Sequence, residues 1–194
     1  MGFTRAQLEA FRDREVDDLV GDDVRLLFVG INPGLWTAAT NTHFAHPGNR
    51  FYPALHLGGV TAHPVDPTGA TDADRAMLTG RGIAITNLAA RATARADELT
   101  RDELRAGGRL VADKVAAWRP RVVAFVGITA YRTAYGRPRA AQGRQPEADW
   151  LAGVETWAVG NPSGLNAHET VESLARTYRE VAEAAGVPLD PPRW

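Results

Sequence analysis

The chain of 194 residues contains no cysteine. Disulfides, thiol nucleophiles and cysteine-ligated zinc or iron–sulfur centres are therefore excluded. It has a single lysine, Lys114, so a lysine nucleophile has one candidate, and that candidate falls inside a predicted amphipathic helix. No uninterrupted apolar stretch approaches the roughly 20 residues a membrane helix needs. Met1 to Asp18 is charged throughout and lacks the apolar core of a signal peptide. A cytoplasmic protein without membrane contact is expected. Net charge is −1, which gives no global attraction to nucleic acid. Any such binding would need a local patch, and Arg132, Arg137, Arg139 and Arg144, in a stretch free of acidic residues, are the candidate. An arginine-rich solvated loop explains the same stretch.

What is present reads as one globular domain: 44% hydrophobic and 23% charged residues, in a chain long enough to bury a core. No repeat, linker or low-complexity tract interrupts it. Thr4 to Leu19 is predicted as an amphipathic helix from Leu8, Phe11, Val16 and Leu19, within an N-terminal helical region spanning residues 1–23. Strands are predicted at Val24–Val29, Gly82–Leu88, Val122–Val126 and Val154–Val159. Leu35–Gly48 and Gly58–Ala70 are expected as loops. Short helices are expected at Asn49–Leu57, Asp72–Leu78 and Thr129–Tyr135. Thr100-Arg101-Asp102-Glu103 has the form of a capping box opening a helix to Trp118, before Pro120. A last helix covers Glu169–Ala185, and residues 186–194 form a tail whose end, Pro188–Trp194, is expected to be loosely held. Alternation of strands and helices predicts an α/β fold, a three-layer αβα arrangement around a mostly parallel four-stranded sheet.

Two of the strands run into an Asn-Pro pair wrapped in glycine: Gly30-Ile31-Asn32-Pro33-Gly34 and Gly160-Asn161-Pro162-Ser163-Gly164-Leu165. Proline pushes the preceding residue out of the helical region. If both strands are parallel members of one sheet, both amides lie at its carboxyl edge, where open α/β sheets bind ligands. Asn32 in a turn of purely structural purpose is the competing reading.

Together with Phe44-Ala45-His46-Pro47-Gly48-Asn49-Arg50-Phe51-Tyr52, these motifs make the sequence from Val24 to Val181 resemble the mismatch-specific uracil/thymine DNA glycosylases of the uracil-DNA glycosylase superfamily. Arg101 to Arg109 and Tyr178-Arg179-Glu180 are similar to the bacterial branch. The resemblance implies a uracil-DNA glycosylase-like fold. It also implies hydrolysis of the N-glycosidic bond of uracil, or of thymine and modified pyrimidines, in mismatched DNA without metal or cofactor. The partner is then double-stranded DNA bearing a mismatched or damaged pyrimidine, and the protein is expected to be a monomer.

By the same resemblance Asn32 positions the attacking water. An amide is no base at neutral pH, so it orients water rather than deprotonating it. That suits a reaction in which the glycosidic bond breaks early. Ile31, through backbone N–H groups from Ile31 to Leu35, together with Phe44, Asn87 and Asn161, corresponds to the base-binding positions, with Phe44 as a stacking platform. Ser163, Gly164, Leu165, Asn166 and His168 correspond to the wedge and strand contact, with Leu165 filling the vacated stack. An inward-packing helix-entry residue is the alternative for Leu165, and an ordinary core aromatic for Phe44. The sequence departs from its relatives at Asn166-Ala167-His168, where a wedge arginine is missing. It also departs at Ala90, where several relatives carry an acidic residue. Asn87 stands where relatives vary between lysine and asparagine.

His43 and His46 are spaced as a metal pair, but zinc needs three or four held ligands, and a structural hydrogen-bonding role for His46 fits better. Two other functional classes remain. One is a protein that binds damaged or flipped bases without cleaving them. The other is a nucleotide-phosphate binder, against which the absence of Gly-x-x-x-x-Gly-Lys-Ser/Thr and Gly-x-Gly-x-x-Gly argues.

Overall fold

The computed structural model describes residues 2–146 and 153–194. Its centre is a sheet in which β1 (Leu26–Gly30) lies between β2 (Ile83–Asn87) and β3 (Val122–Val126). Next to β3 comes β5 (Glu155–Val159), also parallel, and the two-residue β4 (Gly143–Arg144) pairs antiparallel at the far edge. The order is β2-β1-β3-β5-β4. Four strands were expected; the additional one, β4, is too short to leave a periodic signature in sequence.

The side chains of β1 alternate between two cores, as the pleat requires. Leu26 and Phe28 face one layer with Val122, Ala124 and Val126 of β3, against Phe51, Leu55, Leu78, Leu174 and Tyr178. These come from α3 (Phe51–Leu57), α4 (Asp72–Gly80) and α7 (Val171–Ala185). Leu27 and Val29 face the other layer with Val123 and Phe125, against Leu104, Val111, Val115 and Tyr131. These belong to α5 (Arg101–Trp118) and α6 (Ile128–Tyr135). β1 and β3 are buried on both faces along their whole length, which accounts for their unbroken apolar runs.

The capping box predicted for α5 is formed: Glu103 N–H donates to Thr100 Oγ1 at 3.2 Å and Thr100 N–H to Glu103 Oε2 at 2.8 Å. Three expectations are corrected. The N-terminal helix, α1, spans only Arg5–Glu9. The chain turns at Asp13 (φ 61°) and runs extended beside β2, where Leu19 and Ile85 exchange backbone hydrogen bonds of 3.0 and 2.8 Å. The open edge of β2 supplies these partners, and a helix to Leu19 would leave that edge bare. Leu35–Gly48, expected as a loop, opens with α2 (Leu35–Thr40). The C-terminal tail is held rather than loose. Asp190 N–H donates to Gly59 O at 2.9 Å, Arg193 N–H to Leu57 O at 2.8 Å, and the Trp194 ring carries the Arg176 guanidinium at 5.0 Å.

The chain leaves β1 to one side, into β2, and returns on the other side through β3. The carboxyl ends of β1 and β3 therefore form the point at which sheet order reverses, the position where open α/β folds take ligands.

Candidate active site

A cleft of about 690 Å³ opens at that reversal point. Its walls come from the segments following β1 and β5 and from the ends of β2 and β3: Ile31, Asn32, Asn161, Asn87 and Val126 all line it. Phe44, Ser163, Gly164 and Leu165 line it too. Of the residues that the resemblance assigned to base binding, water positioning and the wedge, Asn166 and His168 do not line it.

Asn32 is held by its amide nitrogen. Nδ2 donates to Thr93 Oγ1 at 2.7 Å, to the Pro33 carbonyl at 3.0 Å and to the Arg91 carbonyl at 3.2 Å. Carbonyls only accept, and Thr93 spends its hydroxyl proton on Arg95 O at 2.7 Å. The atom facing all three must therefore be the nitrogen. Oδ1 is left without a partner among the described residues, as an acceptor on the cleft wall. Thr93 reaches this position because the chain beyond β2 stays paired with the chain beyond β1: Leu88, Ala89 and Thr93 donate their N–H groups to Gly30, Ile31 and Pro33.

Gly30 lies in register with Asn87 on neighbouring strands. A Cβ at Gly30 would overlap Asn87 Oδ1 and come within 3.3 Å of the Phe44 ring, so the glycine makes room for two wall residues. Phe44 has φ 57°, a left-handed conformation rare for a bulky residue and most often kept at functional sites. Its ring stacks on Phe51, centroids 4.0 Å apart and planes 24° apart. It is thus anchored to the core through Phe51 while lining the cleft, which reconciles the two readings of its sequence position.

On the opposite rim Asn161 Oδ1 accepts from Ser163 N–H at 2.9 Å, which fixes the amide so that Nδ2 has no partner among the described residues. Leu165 is 94% exposed, so it is no inward-packing staple. Asn166 braces the loop: Nδ2 donates to Asn161 O at 2.9 Å and Oδ1 accepts from His168 N–H at 3.1 Å. Arg50, whose role the sequence did not disclose, donates to the carbonyls of Asn166 (2.9 Å), Ser163 (3.3 Å) and Gly164 (3.4 Å). Gly164 packs so tightly that a Cβ would sit 2.7 Å from the Gly48 carbonyl.

The arginine stretch lies elsewhere. Arg132 donates to Ala140 O at 2.8 Å, Arg144 pairs with Glu155 at 3.2 Å, and none of the four arginines lines the cleft, whereas Arg5 of α1 does. Lys114 is tied to Asp18 at 2.7 Å and to Thr86 Oγ1 at 2.8 Å, away from the cleft wall. His46 accepts from Gly48 N–H at 3.1 Å through Nδ1. Both ring nitrogens of His43 are engaged within the protein. Among the described residues no three His, Asp or Glu side chains gather as a metal would need, and no helix is long and apolar enough to cross a membrane.

The fold and cleft together define an α/β protein whose mostly parallel sheet carries, at its reversal point, a cleft walled by amides and an aromatic ring and rimmed by an exposed leucine. The family model of the Uracil DNA glycosylase superfamily matches residues 18–183. The chain belongs to that superfamily, and with it to the DNA glycosylases that hydrolyse N-glycosidic bonds. The fold is similar to the solution structure of a "putative Uracil DNA glycosylase" from Methanosarcina acetivorans. The TM-score is 0.56 and the identity 15%, over 87% of this chain and 98% of that one.

Proposed function

We infer that the protein is a monofunctional glycosylase that excises uracil, with thymine or modified pyrimidines as further substrates, from mismatched duplex DNA, leaving an abasic site. The reading rests on one juxtaposition: the unpartnered Oδ1 of Asn32 and the exposed side chain of Leu165 belong to a single cleft.

A base inside a duplex cannot be reached, so the nucleotide must rotate into the cleft. Leu165 enters the stack in its place, and Arg50 keeps the leucine's loop from retracting. The extruded pyrimidine stacks on Phe44, a contact of about 1–3 kcal/mol. The glycosidic bond then breaks heterolytically, its electron pair passing to the base nitrogen and leaving an oxocarbenium-like sugar. Donors aimed at the departing anion lower this barrier, and Asn161 Nδ2, on the cleft wall, is available for it. Asn32 Oδ1 accepts a hydrogen bond from water and turns the water's lone pair toward C1′. The added water loses its proton to solvent or to the departing base.

An amide of this kind orients water without removing its proton, so turnover depends on how well the leaving base carries charge. Uracil should outpace thymine, and electron-poor pyrimidines should outpace both. The test is an excision panel of uracil, thymine and ethenocytosine, opposite guanine and adenine and in single strands, with alkali to reveal abasic sites. Alkali-sensitive product from uracil–guanine duplex is expected. Tight binding without cleavage at enzyme excess would replace this reading with that of a damaged-base binder.

A further inference from the structure

His43 is buried, 4% exposed, and belongs to none of the roles above. Its Nε2 lies 2.9 Å from the Asp17 carbonyl, which can only accept, so Nε2 carries the ring proton. Its Nδ1 lies 3.1 Å from Asn87 Nδ2. Asp18, Lys114 and Arg75 are the charged groups around it, and burial is the largest influence on the ring, lowering its pKa and keeping it neutral. A neutral ring protonated at Nε2 leaves Nδ1 as an acceptor, and an acceptor there demands the amide nitrogen of Asn87 rather than its oxygen.

This matters because an unconstrained carboxamide reads two pyrimidines equally well. Turned one way, it offers an acceptor to the N3–H of uracil and a donor to the adjacent carbonyl oxygen. Turned over, it offers a donor to N3 of cytosine and an acceptor to its amino group. We propose that His43 is a specificity-determining positioning residue: by tethering Asn87 Nδ2 to a ring anchored on the Asp17 carbonyl, it forbids the flipped amide and so excludes cytosine from the cleft. The extended strap of residues 13–19 along β2 thereby acquires a purpose beyond covering a sheet edge, since it delivers the carbonyl that sets the tautomer. The proposal rests on the glycosylase reading and on Asn87 as a base contact.

Two variants separate the parts of the tether. His43→Gln retains a donor for Asp17 O but has no acceptor at the Nδ1 position, whereas His43→Asn places an amide oxygen there. The measurement is affinity for duplexes carrying 2′-fluoro-deoxyuridine or 2′-fluoro-deoxycytidine opposite an abasic analogue, so that neither base is paired and neither is cleaved. Wild type should favour the uridine duplex. H43Q should narrow that preference about tenfold, the scale of one mismatched buried hydrogen bond. H43N should restore it, and in an Asn87→Ala background H43Q should change nothing further.

A preference unmoved by H43Q but abolished by Asn87→Ala would overturn the tether while leaving the glycosylase reading intact. Wild type that neither cleaves uracil duplex nor prefers 2′-fluoro-deoxyuridine would end both. Should the variants fail to fold, nitrogen-15 shifts of the wild-type ring decide: a neutral Nε2–H tautomer at pH 7 is expected, and an Nδ1–H tautomer or an imidazolium sinks the proposal.

Discussion

Asn32 Nδ2 and Thr93 Oγ1 are 2.7 Å apart, and because that hydroxyl passes its own proton to Arg95 O, the amide of Asn32 has one orientation only. Asn32→Ala should therefore reduce single-turnover excision by roughly 100-fold or more, the range lost with a positioned catalytic group, while DNA affinity changes little. Equal loss of both would make the residue structural.

Asn32→Asp distinguishes orientation from basicity. A carboxylate is the stronger base, but here it would face the Pro33 and Arg91 carbonyls with no proton to donate. Excision at pH 7 should be slower than wild type. A faster Asp variant would mean that proton removal, not water orientation, limits the reaction.

The 94% exposure of Leu165 leaves it nothing to contribute to the fold. Leu165→Ala should keep the wild-type melting temperature and lose about tenfold or more in excision from duplex, with single-stranded substrate nearly unaffected. Parallel losses on both substrates would remove the wedge assignment.

Much of this site was legible because its chemistry sits in contiguous motifs at strand ends, where proline and glycine fix the backbone whatever the rest of the chain does. The segment from Thr4 to Leu19 shows the opposite case. Its apolar positions suit a helix, but the hydrogen-bond partners that win are the N–H and C=O of Ile85, far away in sequence. Arg50 and Thr93 were missed for the same reason. Each acts on a partner more than 60 residues distant, Ser163 and Asn32 respectively, and a single sequence carries no mark of such pairs. The Pro188–Trp194 tail has the composition of a free end, and the partners that dock it include the carbonyls of Leu57 and Gly59, far away in sequence, and the Arg176 guanidinium.

Glu103 links acid stability to the site. The Arg91 guanidinium, with the N–H and hydroxyl of Thr100, holds its carboxyl down to about 2 from the ordinary 4.5. Between those values the unfolded chain takes up a proton that the native carboxylate refuses, so stability falls as pH falls through that window. Glu103→Gln keeps a side chain suited to the capping box but removes the charge. Its melting temperature should lie below wild type at pH 7, by a small margin because the pair is exposed to solvent, and the gap should close as pH approaches 2. A gap independent of pH would show that the charge on Glu103 contributes nothing.

Arg50 offers the sharpest separation of loop support from chemistry. Its guanidinium, half-buried beneath the rim, holds three carbonyls of residues 163–166, and its own N–H donates to Pro162 O at 2.9 Å. Arg50→Lys preserves the positive charge for any attraction to phosphate but cannot span three acceptors with a planar fork. If the arginine acts through the loop, the lysine variant should lose duplex excision about as severely as Leu165→Ala, and the two substitutions together should cost little more than either alone, as expected of coupled positions. It should also retain the wild-type dependence of DNA affinity on salt, since no charge has been removed. A weaker salt dependence in Arg50→Met with full loop function in Arg50→Lys would reassign the residue to the DNA backbone and detach it from the wedge.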